Sequence, residues 1–442
     1  MIWGAARHMT SDIARERLHP SVSDPVLDVM NFLNEVTSRY PDAISFAPGR
    51  PYDGFFDATA VAGYLDRYLA HLAARGMPPE QVRAAVFQYG PTAGSIREII
   101  AEALRRDEGI DVAAESIVVT VGAQEAMVLT LRALMASSRD VLVVPSPCYV
   151  GITGAARLLN VPVAGVREGP GGLCGADVEA VLLAERDRGR CPRALYVITD
   201  HSNPLGSTLG LHTRHALLEI AERHDLLVIE DSPYRLVSTG PRLPTLKALD
   251  RGRRVVHVGS FSKTLFPGAR VGFAVADQIV GHGDDGRTGL LADELSKIKS
   301  MITVNTSSLS QAVVAGMLLS SSGGVTTLND RPAAYYEHTM TATLRELDRR
   351  FPAAVRDQLG VRWTPPGGGF FIAMTVPFRA DESALERSAR DHGVIWTPMS
   401  QFYSLGGGDT ALRLSCSYLN DEEIVEGVAR LARFVAQEAR NA

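Results

Sequence analysis

Seven short runs between residues 116 and 276 are apolar at nearly every position, and this constrains the fold more than any other feature. They are "SIVVTV" (Ser116–Val121), "VLVVPSP" (Val141–Pro147), "VPVAGV" (Val161–Val166), "ALYVIT" (Ala194–Thr199), "LLVIED" (Leu226–Asp231), "RVVHVGSFS" (Arg254–Ser262) and "VGFAVA" (Val271–Ala276). A strand with one wet face would alternate apolar and polar residues. These runs do not, so each expects cover on both faces. Segments with helical period, such as "AQEAMVLTLRALMA" and "TRHALLEIAERHD" (Thr213–Asp225), separate several of them. Strands alternating with helices predict an α/β fold: a largely parallel sheet flanked by helices.

After about residue 310 the pattern changes. Helical stretches ("SLSQAVVAGMLLSS", "YYEHTMTATLRELDRRF") lead to two strand-like runs, "GGGFFIAMTVP" and "LRLSCSY", and to a closing amphipathic helix, "DEEIVEGVARLARFVAQEA". This reads as a smaller α+β domain. The expected division is an N-terminal segment over 1–64 packing on the small domain, a large domain over 65–318 and a small domain over 319–442. "GHGDDGRTG" (Gly281–Gly289) reads as a polar surface loop, and Met9 as an internal start site that would leave residues 1–8 without structural meaning.

A formal net charge of −5 gives no electrostatic case for nucleic acid or an anionic membrane. No apolar run reaches the roughly 18 residues of a membrane span. The opening "MIWGAARHMT" lacks the apolar core of a secretion signal. Cys148, Cys174, Cys191 and Cys416 form no CxxC pair and no zinc spacing, which suggests reduced thiols in the cytoplasm.

Chemistry gathers where the strands end, the edge at which open α/β sheets bind ligands. "VTVGAQEA" is a strand, a glycine turn and a helix start. The amides of Gly122, Ala123 and Gln124 would favour an anion there, although a plain strand–helix turn looks the same. "VIEDSPY" ends an apolar run with Glu230 and Asp231, and Tyr234 follows. A buried carboxylate at a strand tip needs a cation or several donors, whereas an exposed one would only cap a helix. "DHSNPLG" carries Asn203 in a turn at the same rim. Arg413 lies inside an apolar strand and wants a bidentate carboxylate, either a ligand's or a protein Asp or Glu. In "GSFSKTLFPGARVGF" Lys263 stands between Ser260, Ser262 and Arg270. The chain holds 45 lysines and arginines, of which only Lys247, Lys263, Lys297 and Lys299 are lysine. An amine can lose its proton and act as a nucleophile, and a guanidinium cannot. Lys247, Lys297 and Lys299 stand in polar contexts and are expected to be solvated. Taken together, the amine, anion site, carboxylate, tyrosine and amide are the groups pyridoxal 5′-phosphate requires.

The motif order "QYGPTAGSIREIIAEAL", "VGAQEA", "PSPCYVG", "HSNPLG", "EDSPYR", "SFSKTLFPGARVGF", "PGGGFF", "RLS" resembles the fold-type I, class I/II aminotransferases over nearly the whole chain. The resemblance implies roles for individual residues. Lys263 would be the covalent anchor of pyridoxal 5′-phosphate and, once released, the general base. Asp231 would keep the ring nitrogen protonated, and Tyr234 and Asn203 would hydrogen-bond the ring oxygen. Tyr149 would stack on the ring. Gly122, Ala123, Gln124, Ser260, Ser262 and Arg270 would surround the phosphate. Tyr89 would reach the phosphate of a second subunit, so the resemblance also implies a homodimer with shared sites. Arg413 would clamp the substrate's α-carboxylate, with Gly49 in the same pocket. The implied reaction moves an amino group from an amino acid to a 2-oxo acid and needs no metal.

"MNFLNEVTSRYPDAISFAPGRPYDGFFD" is similar to the N-terminal region of aminotransferases that make 3,5-dihydroxyphenylglycine for glycopeptide antibiotics. Tyr52, Phe55 and Phe56 would then be either an aromatic wall for the substrate or packing against the small domain. "TPMSQFY" (Thr397–Tyr403) replaces the Pro-Gly of many relatives, which puts Met399 and Ser400 at the expected pocket rim. The same scaffold also serves oxidases, cyclases, decarboxylases and regulators that add a DNA-binding domain.

Overall fold

The seven apolar runs all form strands of one sheet. In spatial order they are Ile117–Thr120, Gly272–Val275, Val255–Ser260, Leu227–Asp231, Cys191–Ile198, Asp140–Ser146 and Val163–Arg167. The structure is a computed structural model and describes residues 13–24, 27, 32, 35–169, 172–282 and 286–441. The expectations for residues 1–8 and for much of the "MNFLNEV" stretch lie outside the described residues. Within the sheet only Gly272–Val275 runs antiparallel to its neighbours. The connection that precedes it, residues 261–271, is shorter than the dozen or more residues of a helical crossover, so the chain turns back at the same end of the sheet. That turn carries Lys263 and Arg270.

Val, Ile and Leu side chains fill both faces of the sheet. One face packs under the helices Gly122–Leu134, Val150–Leu158 and Leu291–Ser300. The other packs under Gly175–Asp187, Leu211–Arg223, Arg97–Glu108 and Ser308–Ser320. Each fully buried Val, Leu or Ile contributes about 1.5–3 kcal/mol relative to exposure.

A second core surrounds a four-stranded antiparallel sheet in the order Arg362–Trp363, Phe371–Thr375, Ala411–Ser415, Thr397–Pro398. The long helices Asp330–Arg350 and Asp421–Asn441 contribute to this core, in which Trp396 and Phe434 are fully buried. The N-terminal segment joins this core. Ile44–Ser45 pairs in parallel with Val394–Ile395, and Phe46 is wholly buried.

Two expected boundaries fall inside helices. Val61–Ala74 runs across position 64 and lies on Ser308–Ser320, so close that a Cβ at Gly316 would meet the Tyr64 carbonyl oxygen at 1.8 Å. Position 318 is within Ser308–Ser320 itself. The stretch 281–289, expected to be a loop, is strand at both its ends: Ile279–His282 and Arg287–Leu290 form an antiparallel ribbon.

Candidate active site

Residues from both domains converge on a cavity of about 210 Å³ at the carboxyl ends of the parallel strands. Of the residues singled out in the sequence, Gly49, Ala123, Gln124, Tyr149, Asn203, Asp231, Tyr234, Ser260, Ser262, Lys263, Arg270 and Arg413 all line it. Gly122 lies just behind. Its φ of +69° starts the helix, and a Cβ there would meet the Arg270 guanidinium at 2.5 Å. Glycine is thus required twice over, by conformation and by space. Tyr89 stands apart. It is 85% exposed, in a loop beside Ser308 and outside this cavity.

Lys263 donates from Nζ to the Gly49 carbonyl oxygen at 2.6 Å. Burial first, then the positive charges of Arg270 and Arg413, lower its pKa to about 8. A neutral amine is therefore present on most molecules above pH 8 and on about a tenth of them at pH 7. An aldehyde trapped with a mild reductant should label Lys263 at a rate that rises through pH 8 and is flat above it. A rate still climbing at pH 10 would contradict the lowered pKa.

Asp231 ends its strand on the cavity side. Its Oδ2 accepts the Tyr196 hydroxyl at 2.7 Å, while its Oδ1 is buried with no partner among the described residues. Burial pushes its carboxyl up to about 6, against the pull of the Tyr196 hydrogen bond and of His257. A buried carboxylate oxygen without a donor is costly. A cationic N–H in the cavity would satisfy it.

At the other end, the first turn of Gly122–Leu134 opens toward Arg270. Arg270 adopts the left-handed φ of +51°, and its Nη1 donates to Ser262 Oγ at 3.2 Å. Ser262 N donates to Ser260 Oγ, and Gln124 Nε2 to the Gly151 carbonyl. A helix N-terminus, two hydroxyls and a guanidinium make a donor set for a phosphate. The orphaned Asp231 oxygen at one end and this cradle at the other fit pyridoxal 5′-phosphate.

Arg413 is buried. Its Nη1 donates to Asn203 Oδ1 at 2.7 Å, and its Nη2 donates to the Ala47 carbonyl and to Thr397 Oγ1. No carboxylate among the described residues pairs with it, so the internal salt bridge is not formed. Its guanidinium carbon lies 4.3 Å from the Phe371 ring centroid and 5.2 Å from that of Phe402. Its Nε is buried without a partner among the described residues.

Several functional neighbours were not foreseen. Tyr196, Thr397, Phe371 and Phe402 touch the site residues, whereas Met399 is fully buried beneath the rim against Val150 and Phe402. Tyr52 and Phe55 do not line the cavity. They pack on Tyr335 and Tyr336, with Tyr52 stacked on Tyr335 at 4.7 Å between centroids. The expectation of three solvated lysines is corrected for two of them. Lys299 is fully buried and donates to Glu125 Oε2 at 2.8 Å. Lys247 is buried and donates to Asp277 Oδ1 at 2.6 Å. Opposite charges brought from distant segments make that burial tolerable. Lys297 alone among the three is exposed.

Comparison with known proteins agrees with the geometry. The family described as aminotransferase class I and II matches residues 73–431. An (S)-3,5-dihydroxyphenylglycine transaminase from Amycolatopsis orientalis is 47% identical over 98% of this chain and 97% of its own. A 2-aminoadipate transaminase from Thermus thermophilus is 33% identical over 91% of this chain and 92% of its own. Among solved structures, an α-aminoadipate aminotransferase from Thermus thermophilus, complexed with N-(5′-phosphopyridoxyl)-L-leucine, superposes with a TM-score of 0.76. It is 30% identical and covers 96% of this chain and 100% of that one.

Proposed function

Because the chain belongs to the class I and II aminotransferases and is a transaminase dependent on pyridoxal 5′-phosphate, we propose that its substrates are an arylglycine and the matching arylglyoxylate, of the 3,5-dihydroxyphenylglycine type. The amino group would pass between this pair and a second amino acid and its 2-oxo acid. Arg413 carries the reading. An arylglycine bears its ring directly on Cα, so a ring must lie close to whatever holds the α-carboxylate. Here two phenylalanines flank the guanidinium that has no protein carboxylate. Among the described residues lining the cavity the only lysines and arginines are Lys263, Arg270 and Arg413, which leaves none for a side-chain carboxylate. The 47% identical relative supports the same substrate.

Pyridoxal 5′-phosphate, when bound, supplies an aldehyde carbon and an electron-accepting ring. We assign the remaining work to this chain. Lys263 Nζ would hold the cofactor and, when free, carry the α-proton. Asp231 Oδ1 would accept from the ring nitrogen. Tyr234 and Asn203, which both line the cavity, serve the ring oxygen. Tyr149 covers the ring face. Ala123, Gln124, Ser260, Ser262 and Arg270 hold the phosphate, with Gly122 leaving room for Arg270. Arg413 orients the α-carboxylate beside Gly49.

The working form we propose is a cytoplasmic homodimer. Phe87, at the end of the helix Pro79–Phe87, Tyr89 just after it and Met301 are 81%, 85% and 84% exposed, and the Ser308 hydroxyl donates to the Gln88 carbonyl between the first two. An apolar patch of this kind suits a second copy of the chain, with Tyr89 reaching its phosphate site. The four cysteines form no disulfide, which fits a reducing compartment.

A panel of amino acids mixed with the holoenzyme tests the substrate class. Phenylglycines should convert the cofactor's absorbance to the amine form with kcat/KM about tenfold or more above 2-aminoadipate and alanine, as apolar-pocket discrimination allows. Equal rates across the panel would overturn the aromatic reading. Oxygen uptake or carbon dioxide release without the absorbance change would instead favour an oxidase or decarboxylase on this fold.

A further inference from the structure

Three cavities adjoin one another, starting from the active site. The active-site cavity shares Tyr149, Ile198 and Asn203 with a small one of about 20 Å³. The small one shares Pro147 and Glu168 with a groove of about 880 Å³, walled by Ser207 and Thr208 of the large domain and Trp363 and Pro366 of the small one. The groove, the small cavity and the active site thus lie in a row, with Glu168 between the first two and Tyr149 and Asn203 between the last two.

The small cavity suits a single water molecule. One water needs about 10–15 Å³ and two to four polar partners. Glu168, Ser202, Asn203 and Tyr196 line the space. The Tyr196 hydroxyl gives its proton to Asp231 and keeps a lone pair to accept with. Glu168 already anchors a hydroxyl chain at the groove end. Ser207 Oγ donates to Glu168 Oε1 at 2.6 Å, and Ser207 and Ser202 share a hydrogen bond of 2.7 Å. Ser146 lies between the lining prolines Pro145 and Pro147, and its buried hydroxyl has no partner among the described residues.

The reaction gives this arrangement a use. Releasing a 2-oxo acid consumes one water: the substrate's C–N bond breaks, the water oxygen becomes the oxo oxygen, and both water hydrogens leave on the amino nitrogen. Taking up the second 2-oxo acid returns one water. A cavity of about 210 Å³ leaves little space for stored solvent once cofactor and amino acid are bound.

We propose that the small cavity holds one ordered water and that Glu168 admits water through it from the interdomain groove, a back entrance for the molecule the reaction consumes. The proposal rests on the transaminase reading above. Glu168 acts here as a positioning residue, holding the water and the Ser207–Ser202 chain in line.

Two measurements test it. A high-resolution crystal structure of the holoenzyme should show a water within hydrogen-bond distance of Glu168 or Ser202. A dry cavity, in a map that shows the surrounding waters, would overturn the proposal. The second measurement compares two rates in deuterium oxide: α-hydrogen exchange into recovered amino acid, and formation of 2-oxo acid. Glu168→Leu should leave exchange within about twofold while oxo-acid formation falls about tenfold, and Glu168→Gln should keep both near the parent rates. Equal loss of both rates in Glu168→Leu, or no change in their ratio, would overturn the back entrance. If the leucine variant does not fold, the crystal structure of the unchanged protein decides alone. Failure of the parent enzyme to exchange the α-hydrogen of any amino acid would instead sink the transaminase reading itself.

Discussion

Lys263→Ala is expected to lower turnover by about 10²–10⁴-fold, the usual worth of a positioned proton-transfer group. Lys263 is the lysine of the cavity, and its amine is within hydrogen-bond reach of the cavity edge at the Gly49 carbonyl. Burial and two neighbouring guanidiniums bring its pKa to about 8, near enough to neutrality for the amine to give up and retake a proton. Lys263→Arg should lose as much, because a guanidinium keeps its proton at every accessible pH. The fold should survive both changes. The side chain borders a cavity and makes one hydrogen bond, so the melting temperature should move by only a few degrees for about 1 kcal/mol. Single-turnover rates beside a thermal melt check this. An alanine variant within tenfold of the parent would count against Lys263 as the proton carrier.

Asp231→Ala is expected to cost about 3–5 kcal/mol of transition-state stabilisation, or roughly 10²–10⁴-fold in rate, as for breaking a buried charged pair. The sheet delivers this carboxylate with one oxygen committed to Tyr196 and the other unpaired. The free oxygen is the one we assign to the ring nitrogen. Its loss removes the negative charge that keeps that nitrogen protonated and so weakens the ring as an electron acceptor. The cofactor should also dissociate more readily. Asp231→Asn, which keeps the shape and loses the charge, should fall nearly as far. Stopped-flow absorbance of the half-reaction measures the effect, and an asparagine variant at the parent rate would remove charge from the account.

Much of this site was legible in the sequence because each contribution is local. A carboxylate at the tip of an apolar run, a glycine at a helix start and a lysine between serines are visible within a few residues. The strands were equally plain, being runs of β-branched residues bounded by turns. What could not be read is what depends on register and on distant segments. Tyr196 meets Asp231 because Ile198 pairs with Asp231 across neighbouring strands, which places the two side chains on one face. Thr397 reaches Arg413 because the two pair across neighbouring strands of the small sheet, and Phe402 comes from the turn that follows Thr397. Lys299 appears solvated beside its polar neighbours, yet its carboxylate partner Glu125 lies 174 residues away, and Lys247 is buried between the nearby Asp250 and Asp277, 30 residues on. Tyr52 and Phe55 could be read as a substrate wall or as packing, and the helix Asp330–Arg350, which sets Tyr335 and Tyr336 against them, decides for packing.

Borohydride reduction of the holoenzyme, followed by proteolysis and mass mapping, addresses the covalent anchor most directly. The predicted result is one stable cofactor adduct, on the peptide that contains Lys263. An adduct on Lys247, Lys297 or Lys299, or no adduct on any lysine, would contradict it.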